Sequence, residues 1–315
     1  MSIVFVTGGA GYIGSHVCKA LSLAGFTPVT LDNLSGGHAE FVKWGPLERG
    51  DVADAAWLTE MFAQHAPLAV VHCAGLISVA ESVQYPDRYF HHNTHATQVL
   101  LDAMQQAGTR HIIFSSTASV YGDCKPQLIS EGQPPKPGNP YAESKWRAEQ
   151  SILRSVAQHG LSAVILRYFN AAGADAAGDT GELHAPETHL IPLAVAAAFS
   201  GNEFTVYGDG TAVRDYIHVS DLANAHVAAL RFIAAHGGAH TINVGTGSGA
   251  SVGEVLRVVE ELSGKSLSIR YAPARAGDVP FLVADIEKAK TLLAYQPQCS
   301  GLPEIIKTAI AWYRR

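Results

Sequence analysis

Tyr141 and Lys145 stand four residues apart, so on a helix they share one face. An ammonium beside a phenol stabilises the phenolate and lowers a pKa that is ordinarily about 10. A tyrosine tuned in this way is a general base for an alcohol proton. Taken alone, the spacing equally fits two solvated side chains. Two other groups give it a context. Ser115, Ser116 and Thr117 follow the apolar run Ile112–Phe114, where a hydroxyl could reach a substrate and relay a proton. Gly8, Gly11 and Gly14 follow the apolar run Ile3–Val6 and lead into Ser15–Ala24, which carries apolar residues at helical spacing. Strand, glycine turn and helix make the opening of a dinucleotide-binding βαβ unit.

The elements that must position these groups follow from the same pattern. Gly8 and Gly11 let the backbone approach a pyrophosphate at the helix N-terminus, and Gly14 allows close helix–strand packing. The spacing G-x-x-G-x-x-G departs from the simplest G-x-G-x-x-G fingerprint. Thr27–Asp32 reads as a second strand ending in an acid, 18 residues beyond Gly14, where a ribose-binding carboxylate is expected. An acid there selects NAD, because it repels the extra phosphate of NADP; the plain alternative is a strand-end turn before Asn33. Asp51 and Val52 fall beside the adenine. Leu68–His72 is a buried strand running into Cys73-Ala74-Gly75, a helix spans Pro86–Ala107, and His111–Ser115 is a further strand. A proline-rich loop, Gln133–Pro140, feeds a helix from Tyr141 to about His159. Ser162–Tyr168 is the next strand.

Ala171–Glu187 is a long irregular segment, of the kind that more often serves function than idles. Beyond it come helices at Leu190–Ser200, Val252–Leu262, Asp285–Leu293 and Pro303–Tyr313, and a short strand at Phe204–Tyr207. Ile217–Val219 and Thr241–Val244 read as strands able to return to the main sheet. The alternation predicts an α/β fold: a doubly wound parallel (Rossmann) sheet with a second, smaller α/β substrate domain. The expected division is 1–170 for the NAD-binding domain, with 216–245 returning to it in part, and 171–315 for the substrate domain.

Composition narrows the class. The chain has 315 residues, 47% hydrophobic and 16% charged, with a formal net charge of −6. No basic stripe points to nucleic acid, and no apolar run reaches membrane-spanning length. Cys18, Cys73, Cys124 and Cys299 are scattered, so reduced thiols in a cytoplasm are expected rather than disulfides or zinc. Met1-Ser2 leads straight into the first strand, so no signal peptide is expected. Of 15 histidines, His184, His189 and His218 fall near the proposed site. None there has a metal-binding helical spacing, so satisfied or solvated histidines and no metal are expected.

The glycine turn, the hydroxyl and the Tyr–Lys pair, in this order, resemble the extended branch of the short-chain dehydrogenase/reductase superfamily. The likeness narrows further through Thr7–His16, Asp32–Ser35, Ser115–Gly122, Leu166–Asn170 and Val213–Val219, with Gly181-Glu182, Leu190-Ile191-Pro192 and Ala276-Gly277-Asp278. Together these resemble the UDP-glucose 4-epimerase family almost end to end. The resemblance implies transient oxidation at sugar C4 by tightly bound NAD, with Thr117, Tyr141 and Lys145 catalytic. It implies cofactor contacts from Gly8, Gly11, Tyr12, Ile13, Gly14, Asp32, Asn33, Ser35, Asp51 and Val52. Further contacts fall to Cys73, Ala74, Gly75, Ile77, His92, Asn93, Ser115, Tyr168 and Phe169, besides Tyr141 and Lys145. For the UDP-sugar it implies Asn170, Arg214 and Arg275 on the diphosphate, Tyr207 on the uracil with Leu190 and His189 nearby, Asp278 on the ribose and Leu282 by the sugar, besides Thr117 and Tyr141. It also implies a homodimer through Pro86–Ala107 and the Tyr141 helix.

Several positions depart from the family pattern. Ile77 stands where some epimerases have Lys, Cys73 replaces a common Phe, and His91-His92-Asn93 replaces an Asn-rich run. The loop from Tyr207 to Arg214 is short. Leu282, smaller than the Tyr of narrow enzymes, leaves room for N-acetylated sugars, so UDP-GlcNAc/GalNAc or UDP-xylose/arabinose are alternative substrates. Ala118 and Ser119 exclude a 4,6-dehydratase, which needs an Asp-Glu pair after the threonine. A catalytically silent NAD-binding regulator is the alternative of a different class, and the intact Thr117–Tyr141–Lys145 set argues against it.

Overall fold

The structure is a computed structural model that describes residues 2–124, 127–274 and 279–315. Strands β1 (Ile3–Thr7), β2 (Thr27–Asp32), β3 (Leu47–Arg49), β4 (Ala69–His72), β5 (His111–Thr117) and β6 (Ser162–Tyr168) alternate with helices. The helices are α1 (Tyr12–Leu23), α2 (Ala55–His65), α3 (Val79–Gln84), α4 (Pro86–Tyr89), α5 (Ala96–Ala107) and α6 (Pro140–His159). Next come β7 (Asn170–Ala172), α7 (Leu190–Ser200), β8 (Phe204–Tyr207), β9 (Val213–Arg214), β10 (Tyr216–His218), α8 (Val219–His236) and β11 (Ala239–Val244). The chain closes with β12 (Ala250–Ser251), α9 (Val252–Ser263), β13 (Ile269–Ala272), β14 (Phe281–Leu282), α10 (Glu287–Leu293) and α11 (Leu302–Tyr313).

A seven-stranded parallel sheet, ordered β11-β6-β5-β4-β1-β2-β3, forms the centre. Both faces are covered. Val4, Val6, Ile113 and Leu166 point to one core with Val17, Leu21 and Leu230. Their alternates Phe5, Ile112 and Ile165 point to the other with Leu58, Leu100 and Ile152. Two buried faces explain why the strands read as continuous apolar runs. The strand order reverses between β1 and β4, which puts the ligand crevice beyond the C-terminal ends of these strands. A third core, built from Ile191, Val195, Phe204, Val206, Val255 and Ile306, holds α7, α9 and α11 together beside short strands.

Two expectations change. Only 239–244 of the predicted returning strands joins the main sheet; Tyr216–His218 instead pairs with β7 in a two-stranded ribbon. The expected helix Pro86–Ala107 is broken by a π-type turn over Phe90–His95, and such turns frequently mark functional positions. Here it turns Asn93 inward. Helix α2, with the β3 strand before it, and the long α8 escaped the sequence reading because Ala-rich helices and a three-residue strand carry weak periodicity. No helix among the described residues is long and apolar enough to cross a membrane.

Candidate active site

The turn after β1 is held by its own backbone. Gly8 adopts φ +68°, and the Gly11 N–H donates to the Gly8 carbonyl at 3.0 Å. A Cβ on Gly14 would stand 2.1 Å from the Gly8 oxygen, and one on Gly8 would stand 2.7 Å from the Ala74 nitrogen. Only glycine fits either place. Gly11 caps α1 without any side-chain hydrogen bond, so the first-turn N–H groups, those of Tyr12 and Ile13 among them, are left to an anion at the positive helix end. Such a cradle fits a dinucleotide pyrophosphate. The Tyr12 hydroxyl is engaged elsewhere: it donates to the Gly173 carbonyl at 2.6 Å and ties α1 to the segment after β7.

Asp32 ends β2 and is buried. Its carboxylate accepts from the Ala10 N–H at 3.0 Å and the Leu34 N–H at 2.8 Å, so it clamps the turn as well as facing the crevice. Burial raises its pKa, against the pull of these two donors. Asn33 donates to Asp51 at 2.9 Å, beside buried Val52. Burial of Asp51 is outweighed by the Ala53 N–H, the Asn33 amide and His92, which hold its pKa low. Ser35 donates its N–H to the Asn33 amide oxygen at 2.9 Å on the exposed rim.

The reacting groups converge from β5 and α6. Asn139 caps α6 by accepting from the Ala142 N–H at 2.9 Å, and Pro140 opens the first turn. Tyr141 thus sits in that first turn, its ring edge-on to Tyr89 at 6.4 Å. Burial raises its pKa, and a hydrogen bond with Thr117 acts in the opposite direction. Lys145 is buried over the Phe114 ring at 4.6 Å, and burial brings it down to about 8. The expected lowering of the phenol by Lys145 is therefore not the ruling effect in the protein alone. Burial acts on both groups, and Lys145 stands against Phe114 and the Cys73–Gly75 turn.

A layer beneath them was not legible in the sequence. Ser116 hydrogen-bonds the Glu149 carboxylate, which also receives Arg167 Nη2 at 2.6 Å and Nε at 3.0 Å. Both ionic partners are buried. Glu149 lies one turn after Lys145 on α6, and Arg167 lies on β6 opposite Ser116, so the pair locks the helix to the sheet. Asn93 straps the next loop: its oxygen accepts from Leu76 N–H at 2.8 Å, and its two amide hydrogens go to the Leu76 carbonyl and the Ser144 hydroxyl. Asn93 is buried at the base of this loop, and His92, partly buried, feels the Asp51 carboxylate.

Ser115 is also drawn inward, between Cys73 Sγ at 3.2 Å and His226 Nε2 at 3.0 Å. Burial pushes the Cys73 thiol up to about 11 and holds the Tyr168 phenol well above its ordinary range, so both are neutral walls. Ala74 N–H bonds the Thr7 hydroxyl at 3.2 Å, Phe169 is buried, and Ile77 is 48% exposed at the rim.

The second group of residues sits on short strands. The Asn170 amide donates to the Asp215 carbonyl at 3.0 Å, and Leu282 lies opposite Arg214 between β14 and β9. That register brings Asn170, Arg214 and Leu282 together. Tyr207 ends β8, paired with Ala272 of β13, and is 43% exposed. Leu190 opens α7 with His189 as its N-cap residue. Arg275 and Asp278 lie outside the described residues. His218 is internal, between Thr308 and the Ser220 N–H. His184 Nδ1 is buried without a hydrogen bond but stands 3.4 Å from Glu182 and 3.6 Å from Glu187, and against burial these carboxylates hold its pKa up at about 9.

A parallel sheet with a pyrophosphate turn, an acid after β2 and a Thr–Tyr–Lys set at the same sheet edge defines an extended short-chain dehydrogenase/reductase fold. The sequence model of the NAD dependent epimerase/dehydratase family matches residues 4–245, and the chain belongs to that family. A UDP-glucose 4-epimerase of Rhizobium leguminosarum bv. trifolii is 46% identical over 99% of this chain and 97% of its own. The crystal structure of UDP-glucose 4-epimerase from Brucella ovis in complex with NAD superposes with TM-score 0.96 at 43% identity, covering 99% of this chain and 98% of that one. A UDP-glucose 4-epimerase from Stenotrophomonas maltophila with bound NAD and formylated UDP-arabinopyranose gives TM-score 0.95 at 36% identity, covering 100% and 98%.

Proposed function

We propose that this protein is a UDP-glucose 4-epimerase that interconverts UDP-galactose and UDP-glucose with tightly bound NAD. The observation that carries the reading is the junction of Thr117, Tyr141 and Lys145 with the glycine turn at one sheet edge. It is supported by similarity to 4-epimerases along the whole chain. Gly8–Gly14 and Asp32 would hold NAD, whose nicotinamide would supply the hydride acceptor and donor for sugar C4. Tyr141 takes the 4-hydroxyl proton and returns it, Thr117 orients that hydroxyl, and the Lys145 charge favours the phenolate. Burial of Tyr141 and Lys145 keeps bulk water away from the proton that Tyr141 carries. Asn170, Arg214 and Arg275 hold the diphosphate through hydrogen bonds and guanidinium forks, so the sugar is free to present either face.

Residues 1–170 with β11 are read as the NAD-binding part and 171–315 as the UDP-sugar part. A cytoplasmic homodimer through the 86–107 segment and α6 fits this reading. Leu282 favours a second reading, in which UDP-xylose/arabinose or N-acetylated UDP-sugars are also accepted. The test is a panel of UDP-sugars without added NAD, followed by release of nucleotide from denatured protein. Conversion of UDP-galactose with NAD released supports the assignment; retained NAD with no 4-epimer pair interconverted overturns it.

A further inference from the structure

We propose that Glu182, His184, Glu187 and His189 form a binding site for a divalent transition-metal cation of zinc type, on the irregular segment between β7 and α7. The four donor atoms lie within 4.8 Å of one another. His184 Nδ1 stands 3.4 Å from Glu182 Oε1 and 3.6 Å from Glu187 Oε2. His189 Nδ1 stands 2.6 Å from Glu182 Oε1 and 3.3 Å from Glu187 Oε1. Ligands about 2.0–2.2 Å from one tetrahedral zinc stand about 3.3–3.6 Å apart. With Glu187 ligating through Oε2, the His184–Glu182 and His184–Glu187 separations already match that spacing, and the short Glu182–His189 separation opens by less than one ångström.

A second observation distinguishes this cluster from a group of acids and histidines at the surface. The Glu182 side chain is only 6% exposed, and its Oε1 has no hydrogen-bond partner. It approaches His189 closely without hydrogen-bond alignment. His184 Nδ1 is likewise buried and unpartnered. Two buried polar atoms so close together without hydrogen bonds are costly in a protein interior unless a charge between them compensates. Two imidazoles and two carboxylates are the donor set of zinc and its neighbours rather than of calcium or magnesium.

The frame around the cluster is fixed. The Glu182 carbonyl accepts from Trp312 Nε1 at 2.9 Å, and Glu187 Oε1 accepts from the Thr188 and His189 N–H groups at 2.7 and 2.8 Å. His184 meets the Tyr12 ring edge-on at 6.3 Å. Four protein ligands leave no open position, so the ion would be structural: it would fasten the β7–α7 segment over the head of α1. Helical spacing could not reveal the site, because all four ligands precede α7.

The experiment uses the NAD-containing holoprotein, dialysed against EDTA, in a His95→Gln background. That background breaks the stacked surface pair His91–His95, 5.3 Å apart, which could chelate a metal by itself. Zn²⁺ is titrated calorimetrically and Co²⁺ by visible absorption. The expected result is one equivalent of Zn²⁺ bound, with cobalt bands of a tetrahedral imidazole site. His184→Asn and Glu187→Gln should each weaken Zn²⁺ more than tenfold while NAD content and circular dichroism stay unchanged. Absence of one-equivalent binding overturns the proposal, as does binding that both variants leave intact. If either variant fails to fold, the coordination number and imidazole count from zinc-edge X-ray absorption of the parent protein decide: two imidazoles support the site, none overturns it.

Discussion

Lys145 and Arg214 are both cations read as serving one reaction, yet the protein holds them in opposite ways. Lys145 is buried on a capped helix that the Glu149–Arg167 pair fastens to the sheet. Arg214 is half-buried on a two-residue strand, with a bond to the neighbouring Val213 carbonyl at 3.0 Å. The cofactor end is built of long parallel strands buried on both faces; the nucleotide end is built of short strands and loops. The difference follows the tasks. Proton transfer demands placement within a fraction of an ångström. Holding a diphosphate demands charge and a planar fork, and both tolerate some play. A rigid reacting edge facing an adaptable grip is also what a reaction needs in which the sugar must turn over between steps.

Four changes would break or sharpen this contrast. Tyr141→Phe removes the proton acceptor while leaving the fold, and kcat should fall about 10³-fold, or ~4 kcal/mol, in the UDP-galactose assay with NAD content unchanged. Glu149→Ala leaves Arg167 buried without its partner and should cost about 3 kcal/mol of stability in denaturant unfolding, as removal of one member of a buried pair does. A loss below 1 kcal/mol would show that the rigid edge does not depend on this pair. Arg214→Leu should raise KM for the UDP-sugar about 10- to 100-fold with kcat changed far less. An equal loss in kcat would mean that the grip also positions the reacting ring.

The smallest effect is in pH dependence. Lys145 in the folded protein titrates near 8, below its ordinary 10.5, so the unfolded chain binds more protons between these values. Its contribution to stability therefore rises with pH across that window. Its charge is lost in the same window, and activity that uses the ammonium should decline as pH rises above about 8. Lys145→Arg, which keeps its charge, should flatten that limb of the kcat profile by less than tenfold even as it lowers the rate.

Much of the cofactor end was legible because each of its signals is local. Gly8 and Gly14 are required by contacts within one turn, Asp32 ends a strand of high β-propensity, and Tyr141 and Lys145 share a helix face. The two-sided burial of the sheet makes its strands readable as apolar runs. The nucleotide end was less legible. Tyr216–His218 has the same apolar pattern as a main-sheet strand, and only packing decides that it pairs with β7. The bonds of Asn93 to Leu76 and Ser144, set by the π-type turn over Phe90–His95, could not be read from the sequence.

The sequence by itself determined the parallel sheet, the pyrophosphate turn, the acid after β2 and the pairing of phenol with ammonium. The turn and the phenol–ammonium pair depend on residues within a few positions of one another, and the sheet and the acid on a regular order of short apolar runs along the chain. Tertiary structure alone decided what lies behind and beside them. Arg167 meets Glu149 across 18 residues, Tyr12 meets Gly173 across 161, and Glu182 with His184 stays unpartnered inside a loop. Burial also reversed the expected direction of the Tyr141 pKa. Desolvation is a property of everything packed around a group, and no spacing along the chain encodes it.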